Sequence, residues 1–156
     1  MKFVWKELQI ILSGELEAAN RLSQHLITQE QMIRHNQSKE LVASMREAEE
    51  LANVLNHYET QRVRWTEEHS ETMQEFARQR SQRDGFREQF LTLGPTLKNV
   101  LREIQDRTLT NAELLGRMVK RGQEMLHEII RAKGLNQQYG AKTDDRAPSL
   151  FLDQRI

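Results

Sequence analysis

The chain predicts an all-α fold: an antiparallel, coiled-coil-like bundle of three main helices with a flexible C-terminal tail. Three observations predict it. Gly and Pro number only 7 and 2 in 156 residues, so little interrupts long elements. Charged residues make up 29 % and are interspersed, the pattern of amphipathic helices rather than sheets. Most informative is one seam: Leu97, Leu101, Ile104, Thr108, Asn111, Leu115, Met118, Gly122, Met125, Ile129 and Ala132. Its steps alternate between four and three, which is a heptad repeat.

The first helix is predicted from about Phe3 to Ile33. Val4, Leu8, Ile11, Glu15, Ala18, Leu22, His25 with Leu26, Gln29 and Met32 fall on one face. Gly14 is its weak point, worth about 1 kcal/mol against Ala. Arg34 to Ser38 is a polar break, with Asn36 or Ser38 expected to cap the next helix. Glu40 then stands in a first turn, where the helix dipole favours a carboxylate. The second helix carries Leu41, Met45, Ala48, Ala52, Leu55 and Tyr58 and runs on through Val63 and Trp65. A short break between two such helices makes a helical hairpin.

Between Arg64 and Leu93 the pattern predicts a frayed extension of the second helix or a short third one. Asp84-Gly85 reads as a turn, and Phe86, Phe90, Leu91 and Leu93 as a small apolar group. Gly94-Pro95 then resets the chain, with Pro95 at the first position of the last helix, where its missing N–H costs nothing. That helix is expected to run to Lys133 and stop at Gly134. Residues 1-134 thus read as a single helical bundle. Residues 135-156 read as a flexible partner-binding tail, polar and without period but carrying Tyr139, Leu150, Phe151, Leu152 and Ile156.

Composition excludes several functions. Lys+Arg and Asp+Glu are 23 each and the formal net charge is zero, which argues against nucleic acid as a partner. Arg117, Lys120, Arg121, Arg131 and Lys133 read as a solvated face near a helix end that favours cations. No apolar run reaches membrane-span length. The chain has no cysteine, hence no disulfide, thiol catalysis or cysteine metal site, which suits a reducing cytosol. Glu124-x-x-His127 is half of a di-iron bundle motif; the second unit is missing and His127 lies off the seam. With no nucleophile motif or phosphate loop either, the sequence predicts no enzyme and no cofactor.

What remains is binding. Met118, Met125 and Ile129 widen the apolar surface of the last helix, and methionine suits surfaces that adapt to a partner. Thr108 and Asn111, polar in mid-seam, read as a register pin or a soft place.

The order of these features resembles the FlgN family of flagellar type III export chaperones. The hairpin seam Leu8-Ile11-Glu15-Ala18-Leu22 and its return Leu41-Met45-Ala48-Leu51-Leu55, ending in Glu59-x-x-Arg62, carry the resemblance. So do Asn111 before Leu114-Leu115 and the tail opening Tyr139-Gly140-Ala141. The resemblance implies a cytoplasmic chaperone for hook–filament junction proteins that delivers them to the export gate and its ATPase components. It places docking on Tyr139 and Gly140. The client's amphipathic helix would meet Met118, Met125, Ile129, Leu150, Phe151 and Leu152. The rival reading is a structural coiled-coil rod that self-associates and has no exported client. Tyr139→Ala is expected to leave the melting temperature nearly unchanged, since a docking segment adds little to the core.

Overall fold

The computed structural model describes residues 2–78 and 85–134. These residues are all-helical, in four helices: α1 (Lys2–Arg34), α2 (Ser38–Glu68), α3 (Ser70–Arg78) and α4 (Gly85–Ala132). Tyr139, Gly140, Leu150, Phe151 and Leu152 lie outside the described residues.

The hairpin break is a helix stop with its own hydrogen bonds. Asn36 takes a left-handed conformation at φ 53°. Its N–H reaches the Ile33 carbonyl at 3.2 Å, and the Gln37 N–H reaches Met32 at 2.9 Å. This paired closure satisfies carbonyls that the last turn would otherwise leave open. Asn36 therefore ends α1 and does not cap α2. The residue before α2 is Gln37, which makes no side-chain cap, and Ser38 is the first helical residue.

α1 is the central helix. It runs antiparallel to α2: Glu15 meets Arg62 and His25 meets Ser44. It runs parallel to α4: Gln9 bonds Gln89 near one end, and Leu26 and Gln29 bond Asn111 further along. Leu8, Leu12, Ala18, Ala19, Leu22 and Leu26 of α1 are buried, packed with Ala48, Leu55 and Trp65 of α2 and Leu97 of α4. Each large side chain removed from water there contributes about 1.5–3 kcal/mol.

Gly14 is where α1 and α2 approach closely. A Cβ at that position would run into the Tyr58 ring. The helix-propensity penalty of the glycine is thus the cost of seating a tyrosine. Gly14→Ala gains at most about 1 kcal/mol of propensity and loses about 1–3 kcal/mol to overpacking. We expect a net loss of about 1 kcal/mol in urea denaturation, smaller in a Tyr58→Leu background.

α4 departs from its predicted start. It begins at Gly85, and Pro95 lies inside it. Proline removes one backbone bond and crowds the carbonyl four residues back. The helix continues because residues on both sides of Pro95 are held: Phe90, Leu93 and Leu97 pack on the core. Gly94 and Pro95 themselves face solvent. At 48 residues, α4 is about 72 Å long. It closes at Gly134, whose φ of 69° is the left-handed stop expected of that residue.

α2 ends at Glu68 rather than fraying onward, and α3 is a separate short helix. An aromatic cluster joins this end of the molecule. Trp5 lies 5.8, 4.9 and 5.5 Å from Trp65, Phe76 and Phe90 respectively, centroid to centroid. Arg87 is buried, sits 4.5 Å over the Phe76 ring and donates to the Phe76 carbonyl.

Candidate partner-binding surface

The two mid-seam polar residues of α4 behave differently. Thr108 turns its hydroxyl to its own helix, donating to the Ile104 carbonyl at 2.7 Å. Asn111 is buried and crosses to α1, donating to the Leu26 carbonyl at 3.0 Å and to Gln29 Oε1 at 3.2 Å. This buried polar contact fixes the axial position of α4 against α1, because any slip would leave amides unmatched among leucines. Of the predicted pair, Asn111 alone is the register pin.

From that pin the seam can be followed outward. Ile33, Leu41 and Met45 form a second buried cluster, with Met32, Leu114, Leu115 and Met118 packed against it. This cluster closes the hairpin end. Past it, α4 projects beyond α1 from Val119 to Ala132, about 21 Å by its rise per residue, with the first turns of α2 beside Val119, Gly122 and Leu126. The heptad pattern persists there, but α1 no longer covers it. Met125 is 62 %, Leu126 54 % and Ile129 47 % exposed.

The predicted residues thus divide. Met118 is half-buried and belongs to the hairpin-end cluster, so it anchors the base of the strip. Met125 and Ile129 stand free on the projecting segment, one turn apart on the same face.

Two clefts flank Met118. One, of about 280 Å³, is apolar and lies between the first turns of α2 and the outer half of α4; Leu41, Val42, Met45, Val119, Gly122 and Leu126 line it. Val42 was not among the predicted binding residues. Its signal in the sequence was an apolar side chain beside Leu41 but off the α2 seam. The second cleft, of about 230 Å³, is lined by Arg34, Asn36, Arg117 and Arg121 along with Ile33 and Leu114. Arg34 is engaged by Glu30 and Arg117 by Glu113. Arg121 takes no ion pair among the described residues.

His127 is exposed on this projecting segment, off the strip. Among the described residues no three His, Asp or Glu side chains gather as metal ligands. No described helix is long and apolar enough to cross a membrane. The arrangement is an apolar ledge, Met125 and Ile129 exposed on it, with the side chains of Arg34, Arg117 and Arg121 in the adjoining cleft. Comparison with protein-family models, curated proteins and solved structures found no match.

Proposed function

We propose that this protein is a partner-binding helical scaffold, an export chaperone of the FlgN type, that holds an amphipathic helix of a client on the projecting segment of α4. One observation carries the reading: the α4 seam continues in phase beyond the α1–α2 hairpin, leaving Met125 and Ile129 bare. Long apolar stripes exposed on monomers mark interaction sites, and a helix laid in an apolar groove is a recurring recognition mode. A client helix entering above the hairpin end would extend the bundle in line with α1, with Met118 at its base. The sequence resemblance supplies the client class, hook–filament junction proteins, and a cytoplasmic setting. It also assigns Tyr139 and Gly140 to docking at the export gate or the client.

Capture from a lysate of flagellated cells tests the reading. The intact chain is expected to recover a junction protein. Met125→Asp with Ile129→Asp is expected to reduce recovery about tenfold or more, since two apolar anchors are lost. Both side chains are exposed, so the melting temperature should stay within about 2 °C. Equal recovery by the double variant would remove the ledge from client binding. Removal of residues 135–156 separates the rival rod, which would keep its assembly, from a chaperone, which would lose client or gate.

A further inference from the structure

Met45 and Met118 both line the apolar cleft between the first turns of α2 and the outer half of α4. Leu41, Val42, Val119 and Leu126 are among its walls, and no charged side chain lines it. Such a cleft suits an aromatic ring, because methionine sulfur packs well against ring edges and its chain adapts to their shape. The chain carries such a ring close at hand. Phe151 stands between Leu150 and Leu152 in residues 135–156, outside the described residues. We propose that this segment of the chain itself covers the cleft, with Phe151 seated between Met45 and Met118.

Reach and register both fit. α4 closes at Gly134, whose left-handed φ of 69° takes the chain off the helix axis. From there the cleft lies back along α4, about 12 Å away at Leu126 and about 29 Å away at Leu115 by the rise per residue. Residues 135–149 can reach about 50 Å when extended and about 20 Å on average as a coil. A tether whose mean length matches its span raises the local concentration of its end to about the millimolar range, which favours the tethered segment over a free one. The charges fall into the same register. Asp145 precedes Phe151 by six residues, about 20 Å of extended chain. Measured along α4 from a ring level with Val119 to Gly122, that length ends beside Arg131 and Lys133. Both cations are exposed and neither takes an ion pair among the described residues. Asp144 and Asp145 thus close over the end of α4 while the apolar triplet closes the cleft. Pro148 favours the extended backbone that this needs at Ala147. A client helix and this segment compete for the cleft, and a client that displaces the segment frees Leu150, Phe151 and Leu152. The inference does not depend on the client reading.

Paramagnetic broadening in the full chain tests it. The chain has no cysteine, so Gln154→Cys gives one site for a nitroxide label. With the methionine methyl groups isotope-labelled, Met45 and Met118 are expected to lose signal until the nitroxide is reduced. Met73, on α3 past the far end of α2, should keep its signal. Phe151→Asp should restore the Met45 and Met118 signals. Asp144→Lys with Asp145→Lys should weaken the broadening by setting like charges together. Arg131→Glu with Lys133→Glu, added to that chain, should bring it back, because each altered residue again faces its opposite. Mixing nitroxide-bearing copies with separately isotope-labelled ones should give no broadening, since the segment serves its own chain. Full signals at Met45 and Met118, as expected of a cleft left to another protein, overturn the proposal. Broadening only between separate copies, or indifferent to Phe151→Asp or to the charge changes, overturns it equally.

Discussion

Arg62→Ala should cost about 3–5 kcal/mol of folding stability, the largest loss expected from any single change at a polar residue. Glu15 sits on the α1 seam with its side chain at 0 % exposure, and Arg62 Nε donates to Glu15 Oε2 at 2.8 Å. The other oxygen of Glu15 has no hydrogen-bond partner among the described residues. Removing the guanidinium leaves the buried Glu15 side chain without its ion-pair partner. The reverse change is milder. Glu15→Leu leaves an arginine whose side chain is already 31 % exposed and can turn outward to water. The double change to Leu at both positions should restore stability or exceed it, as apolar replacements of buried pairs often do. Urea denaturation of the four proteins measures all three outcomes. A loss below about 1 kcal/mol for Arg62→Ala would show the pair is solvated, as surface pairs are.

Trp65→Ala should cost about 3–5 kcal/mol, by cavity formation at the aromatic end. Trp65 is 3 % exposed, stacks on His69 at 4.4 Å and tilts against Trp5. It is the side chain through which the end of α2 joins the start of α1. For a chain of this size the change corresponds to a drop of about 10 °C or more in melting temperature. α3 should lose protection in hydrogen exchange first, because it has no buried residue of its own and Phe76 rests on Trp5. Trp5 would then be the sole tryptophan, and its emission should shift red as the cluster opens.

The hairpin was legible in the sequence because its two seams are long and its break is polar; α1 and α2 fall within a few residues of their predicted ends. Gly134 was legible for the same local reason, a residue that takes positive φ freely. The region from Arg64 to Leu93 was not. There Trp5, more than fifty residues away, gathers Trp65, Phe76 and Phe90, and no local period encodes that meeting. Pro95 misled for a related reason. Its local preference is to start a helix, but Phe90 and Leu97 dock on α1 from either side and carry the helix through it. Of the candidate site, Met125 and Ile129 could be read from the heptad alone. That the hairpin stops short of them could not, since it follows from the axial offset of α4.

That offset has a consequence of its own. Leucine zippers are forgiving rulers: sliding by one repeat exchanges one leucine for another at little cost. The amide of Asn111 against Gln29 and Leu26 gives this ruler a zero mark. A slip of one repeat inward would retract the free end by about 10 Å, roughly half its length, and draw Met125 down beside the loop. How far the arm reaches out of the molecule is therefore written near its middle, in one carboxamide.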